Sequence, residues 1–290
     1  MIPLFIASKN RASQLRLLLE SLNKNCSDLF EINILYSFDE NGYQDGYKKL
    51  QDESIANNIE WQQEDKDSNG VFVRQFYDFL DHNPDHFALM VDDNVFYRKN
   101  NLTESRIKNI LDDKTFAFSF RLGANTTVQN HLSLEKQDPL TNEDIKEDHV
   151  RWKYTDRAGK FEDYALPFSW DGVIYRTSDV LHTLQNTDFT TTDHAWAPLP
   201  HRLEEYMWKN SNKYSNRQYM AAPKNSCVVG MDYNKVINSG GNKGGSVFRA
   251  DEQGLNDLYL RNFVIDLGSI DFSGVKSAHD EIPFKMRKLG

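Results

Sequence analysis

Residues Phe87-Ala88-Leu89-Met90-Val91 form an unbroken apolar run that stops at Asp92-Asp93-Asn94. A run of this length without alternation suits a strand buried on both faces, as in parallel sheets covered by helices on each side. Similar runs recur. Ile2-Pro3-Leu4-Phe5-Ile6-Ala7 gives way to Ser8-Lys9-Asn10-Arg11, Ile32 to Phe38 ends at the turn-prone Asp39-Glu40-Asn41-Gly42, and Phe116 to Phe120 closes the series. Between them lie helical stripes: Leu15, Leu18, Leu19 and Leu22 with Ser13 placed to cap, then Val73, Phe76 and Leu80, then Ile107, Ile110 and Leu111. Strand, helix and strand in succession predict an α/β fold over residues 1–125, doubly wound about a mostly parallel sheet.

The texture changes further on. Residues 131–150 carry six carboxylates and two lysines with few large apolar side chains, which predicts an exposed excursion. Beyond it the chain is aromatic, with Trp152, Trp170, Trp196 and Trp208 close together in sequence. A strand is expected at Val173 to Tyr175, and helices near Ser178 to Leu184 and Arg202 to Lys209. Asn238 to Gly245 holds four glycines and predicts a loop.

Composition narrows the function classes. With 290 residues, 39 % of them hydrophobic, the chain can bury the core of one large domain or two small ones. Its 43 acidic against 34 basic residues give a net charge of −9, which argues against a sequence-independent grip on nucleic acid. Two cysteines, Cys26 and Cys227, cannot build a disulfide framework or a cysteine zinc site, and a reducing cytoplasm fits. No apolar run approaches the roughly 20 residues of a membrane span, and no leader opens the sequence, so a soluble protein is expected. The chain contains no GxxxxGK[ST], GxGxxG, GxSxG or HExxH.

In open α/β sheets ligands sit outside the carboxyl ends of the strands, so Asp92-Asp93-Asn94 stands where carboxylates would hold a divalent cation. A polar turn has the same composition, but the position after a buried strand favours a site. Hard oxygen ligands suit Mg²⁺ or Mn²⁺ better than zinc, and such an ion could neutralise a departing diphosphate.

Ile6-Ala7-Ser8-Lys9-Asn10-Arg11 before a Leu-rich helix, Tyr36-Ser37-Phe38-Asp39 ending the second strand, and Met90-Val91-Asp92-Asp93-Asn94 together resemble the GT-A glycosyltransferases, especially family-2-like inverting members. The likeness covers residues 1 to about 125 and rests on the order and spacing of short motifs. It implies a nucleotide-diphosphate-sugar donor in a first half, 1–125, and acceptor binding and catalysis in a second half, 126–290, of one domain. By the resemblance, Ala7, Ser8, Asn10 and Arg11 would border base and ribose, Asp39 would bond one of them, and Arg74 would face the diphosphate unless it is simply a solvated helix position. Asp92, Asp93 and Asn94 would be a DxD-like element. Asn at its third place makes Asp93 the direct metal ligand and leaves Asp92 to the ribose or to a bridging water.

The family's catalytic base is matched by Glu204 or Glu205, which the motif does not distinguish and which the helix dipole would favour at a helix start without any catalysis. Asp171 is the rival base and a candidate for acceptor hydroxyls. His279 would complete the metal sphere unless it is a solvated tail residue, and Trp170 and Trp196 would stack on the acceptor sugar if they are not core. The glycine loop would be a lid or a plain surface loop.

The implied activity is metal-dependent inverting hexosyl transfer to a glycan or lipid-linked acceptor, as in surface polysaccharide synthesis. Alternatives are a nucleotidyltransferase making a nucleotide sugar, although no glycine follows the first strand, and a non-catalytic carbohydrate-binding protein. The basic end Lys285-Met286-Arg287-Lys288 could meet the anionic inner face of a membrane, but four residues are few for anchoring.

Overall fold

The computed structural model describes residues 1–53, 55–56, 58–64, 71–83, 85–129, 135–158, 160, 162–185, 204, 216–234 and 244–290. Its strands are β1 (Ile2–Lys9), β2 (Phe30–Ser37), β3 (Ile59–Gln63), β4 (His86–Val91), β5 (Asn94–Phe96), β6 (Thr115–Ser119), β7 (His149–Lys153), β8 (Val173–Arg176), β9 (Tyr219–Pro223), β10 (Val228–Met231), β11 (Phe263–Ile265), β12 (His279–Asp280) and β13 (Met286–Lys288). The helices are α1 (Ala12–Cys26), α2 (Asn41–Asp52), α3 (Val71–His82), α4 (Glu104–Ile110), α5 (Thr177–Gln185) and α6 (Glu252–Leu260).

Eight strands form one sheet in the order β3-β2-β1-β4-β8-β6-β9-β7. Only β8 and β7 run against their neighbours, so the sheet is mostly parallel, as the apolar runs imply. The chain builds β1, β2 and β3 outward to one side and then returns to lay β4 against the other side of β1. This reversal makes a topological switch point between β1 and β4, where open α/β sheets form ligand crevices. A smaller sheet, β12-β10-β5, and a β11-β13 pair flank the main one.

Strand alternation sorts the core onto two faces. Leu4 and Ile6 of β1 and Ala88 and Met90 of β4 pack with Leu15, Leu18 and Leu22 of α1 and with Tyr47 and Leu50 of α2. Phe5, Phe87 and Leu89 face the other way, onto Phe76 and Leu80 of α3 and Val180 and Leu184 of α5. Leu17 joins a third cluster with residues of β5, β10 and β11, so α1 is apolar on two sides.

Several expectations change. Ser13 does not cap α1: the helix begins at Ala12 after Arg11, and Ser13 lies buried inside it. The segment expected only as a turn after β2 continues into α2, whose Tyr43, Tyr47 and Leu50 supply the inward stripe. The basic end is β13, paired antiparallel with β11, and Arg287 is engaged by Glu20 at 3.1 Å. Among the described residues no helix is long and apolar enough to cross a membrane.

Candidate active site

The carboxyl ends of β1, β2 and β4 meet at the switch point. β1 stops because Asn10 takes a left-handed conformation, φ 61°, which asparagine tolerates better than most residues. Its N–H then reaches the Ser37 carbonyl at 3.1 Å, and its carboxamide and Asp39 exchange two hydrogen bonds of 2.9 Å. Lys9 adds an ion pair to Asp39 at 2.9 Å. Asp92 accepts from the Ser8 hydroxyl at 2.8 Å and the Lys9 N–H at 3.1 Å. The buried Arg11 guanidinium bridges Asp92 Oδ1 at 3.1 Å and Asp93 Oδ2 at 2.8 Å, and donates through Nη2 to the Asn234 carbonyl at 2.7 Å.

Six expected donor-site residues, Ser8, Asn10, Arg11, Asp39, Asp92 and Asp93, therefore gather in one place. Ala7 sits beside them at the end of β1, half-buried against the core. Arg74 lies exposed in the first turn of α3, and among the described residues no hydrogen bond or ion pair ties it to this cluster.

A second group adjoins the first. Asn94 donates to Asp171 Oδ1 at 3.1 Å, and Asp171 Oδ2 receives the Ser169 hydroxyl at 3.0 Å. The same oxygen lies 3.5 Å from Arg121 Nη1 and 3.3 Å from His279 Nε2. His279 Nδ1 faces Asp232 at 3.1 Å, and Arg121 reaches Asp163 at 3.5 Å. Glu204 accepts the Trp170 N–H at 2.8 Å.

These surroundings separate the carboxylates. Burial pushes Asp93 up to about 7, with Arg11 opposing and Asp92, Asp232 and Asp171 adding to the rise. Burial likewise lifts Glu204 to about 7, reinforced by the charge of Asp171. Asp171 is also desolvated, yet His279, Arg121 and Asn94 together hold it below the ordinary carboxylate range. Burial alone would lower His279, but Asp232 and Asp171 raise it well above the usual imidazole value. Carboxylates driven apart in this way are the arrangement from which acid–base roles arise.

Among the described residues no three His, Cys, Asp or Glu side chains are grouped to hold a metal by themselves. Asp93 nonetheless fits a hard divalent cation. It is crowded by three other carboxylates, an excess of negative charge that a cation would relieve, and Mg²⁺ commonly takes one or two carboxylates with water and substrate phosphates for the rest. Asn94 and His279 fit less well than the resemblance implies. Asn94 is fully buried, with its Oδ1 3.4 Å from the Val91 N–H and its NH₂ on Asp171, so it braces the cleft wall. Both ring nitrogens of His279 face carboxylates, which makes it a charged bridge.

The Trp170 ring is likewise no sugar platform: it is 2 % exposed and packs on Phe5, Phe72 and Phe76 at 5.2 to 6.1 Å. Trp152 is core too, its indole N–H on the Tyr164 carbonyl at 2.8 Å. Glu205, Trp196, Trp208, the helix expected at Arg202 to Lys209 apart from Glu204, and most of the glycine loop lie outside the described residues. Arg121, Asp163 and Asp232 belong to the site and are not singled out by sequence motifs. Arg121 and Asp232 each directly follow an apolar strand, β6 extended by Phe120 and β10, as Asp92 follows β4.

No family model and no curated protein matches the chain. Among solved structures it is similar to S. aureus TarS, at 16 % identity and a TM-score of 0.42 over 77 % of this chain and 35 % of that one. A shorter TarS chain in complex with UDP aligns at 13 % identity and a TM-score of 0.42, over 77 % of this chain and 57 % of that one. Core-mannan synthase A from Aspergillus fumigatus, in an Mn/GDP form, aligns at 9 % identity and a TM-score of 0.33 over 72 % and 66 %. The chain thus spans 35 % to 58 % of the length of the TarS chains it matches.

Proposed function

We propose that this chain is an inverting glycosyltransferase that binds a nucleotide-diphosphate sugar at the β1–β4 switch point and passes the sugar to a glycan or lipid-linked acceptor. The observation that carries the reading is the meeting of Arg11, Asp92 and Asp93 at that switch point, linked through Asp171 to a carboxylate, Glu204, lifted to about 7. Ser8, Asn10 and Asp39 offer a hydroxyl, an amide and a carboxylate to base and ribose at the ends of two adjacent strands. Residues 1–125 supply this donor end, and Asp171, Glu204 and His279 of 126–290 supply the reacting end.

Asp93 would hold Mn²⁺ or Mg²⁺ together with water and the donor's phosphates, and that ion would stabilise the diphosphate as it leaves. Glu204 takes the acceptor hydroxyl proton as the oxygen attacks the anomeric carbon from the face opposite the diphosphate, which inverts the configuration. A carboxylate raised to about 7 is a stronger base than an ordinary one and is still half ionised near neutral pH. Asp171, held ionised by four partners, is a weak base and instead anchors His279 and Ser169, the latter also hydrogen-bonded to Glu204. The acidic cluster favours this reading over simple carbohydrate binding, which needs no charged crevice.

The test is slow donor hydrolysis followed as nucleoside diphosphate release from a panel of nucleotide sugars with Mn²⁺. One donor should turn over, and Asp93→Ala and Glu204→Gln should each abolish release. Turnover of none, or turnover indifferent to both substitutions, would overturn the proposal.

A further inference from the structure

β5 and β10 run antiparallel from the acidic cleft, at Asn94 and Gly230, to a second cavity that opens where Arg98 and Cys227 follow and precede them. Asn94 and Arg98 are four residues apart, so this cavity begins within about 14 Å of the cleft wall. Its volume is about 510 Å³. Its lining contains four cations, Arg98, Lys99, Arg106 and Lys224, and one acid, Asp148.

Asp148 is taken by Arg106 through two hydrogen bonds of 2.7 and 2.9 Å. Among the described residues the other three cations form no ion pair with a carboxylate. Arg98 donates to the Ser226 carbonyl at 3.1 Å and lies over the Tyr97 ring at 5.3 Å. Lys224 reaches only the Glu147 carbonyl, at 3.4 Å. Neutral carbonyls position these side chains without cancelling their charge. A chain of net charge −9 thus gathers around one concavity three cations that have no carboxylate partner among the described residues.

We infer that this cavity binds a phosphate-bearing polar ligand at a site separate from the acidic cleft. A single carboxylate would leave most of the charge unmatched, whereas a phosphate group carries up to two charges and several acceptor oxygens for guanidinium and ammonium donors. The volume lies in the range of sites for small organic ligands, well above that of a bare ion, so the ligand has a body beyond the phosphate. Asn101, Thr103 and Asn225 in the wall suit a hydroxylated body. A soluble sugar phosphate and a phospholipid headgroup share this chemistry.

Calorimetric titration with glucose 1-phosphate, and co-sedimentation with phosphatidylcholine vesicles carrying phosphatidylinositol, test the inference and separate its two sources. The comparison is between the full chain, a Lys99→Glu/Lys224→Glu double variant checked for folding by circular dichroism, and Asp93→Ala. Glucose 1-phosphate should bind and weaken by at least about tenfold in the double variant while Asp93→Ala binds as before. Vesicle binding alone, lost in the double variant and kept in Asp93→Ala, supports the site with a headgroup as its source. Binding of neither probe, binding unchanged in the double variant, or binding lost in Asp93→Ala would each overturn it. Neither probe contains a nucleotide, so a failure here is distinct from a failure of the glycosyltransferase reading.

Discussion

Glu204 and Asp171 are carboxylates of one cluster with opposite settings, because one has lost water with little compensation and the other has gained two cations. On the proposed mechanism, Glu204→Gln should lower kcat by about 10²- to 10⁴-fold with KM little changed, as expected when a general base is removed. On that mechanism, in which the ionised form is active, the rate of the native chain should rise with pH through about 7 and level off above it. The same shift acts on stability with a definite sign. A carboxylate raised in the folded state stabilises below its unfolded value, and that contribution is lost as pH rises through about 7. Melting curves between pH 5 and 8 should therefore be flatter for Glu204→Gln than for the native chain. Trp170→Ala should act on stability, costing about 3–5 kcal/mol in denaturant unfolding as a buried aromatic does, and not on acceptor KM alone. The six residues expected at the donor end were legible because each stands just past a run of apolar residues. Arg121 and Asp232 carry the same mark, but only the strand order tells which strand ends share a crevice.

The elements behind the cluster depend on glycines at close approaches. Gly230 of β10 faces His279 of β12, and a Cβ there would lie 2.5 Å from the imidazole Nδ1. Gly230→Ala should push the ring off Asp232, and the His279 titration followed by NMR should fall toward the ordinary imidazole range. Gly172 follows Asp171 with φ 67°, a conformation that costs an alanine roughly 1–2 kcal/mol, so Gly172→Ala should lower stability by about that amount. Glycine also explains a helix missed from sequence. α2 contains Gly42 and Gly46, poor helix formers, and Gly46 lets the helix approach Asn256 of α6, so tertiary packing overrides local propensity. The strands of the second half were less visible for another reason. β7 alternates buried and half-buried residues at the sheet edge, and β9 and β10 are only five and four residues long.

At the scale of the whole molecule, a net charge of −9 and a crevice of carboxylates are an unpromising place for an anionic donor. Arg11 is already shared between Asp92 and Asp93, so under the proposed function a divalent cation on Asp93 would add the positive charge that a diphosphate needs. On the proposed function this crevice binds a nucleoside diphosphate through a divalent cation on Asp93. A thermal-shift panel of UDP, GDP, CDP and dTDP, each with Mn²⁺ and with EDTA, on the native chain and on Asp93→Ala, tests it most directly. A nucleotide at 100 times its dissociation constant stabilises by about 2.7 kcal/mol, enough to move the midpoint by several degrees. At least one nucleotide should raise the midpoint with Mn²⁺, and EDTA or Asp93→Ala should remove the shift. No shift with any nucleotide, or a shift that persists in EDTA and in Asp93→Ala, would contradict it.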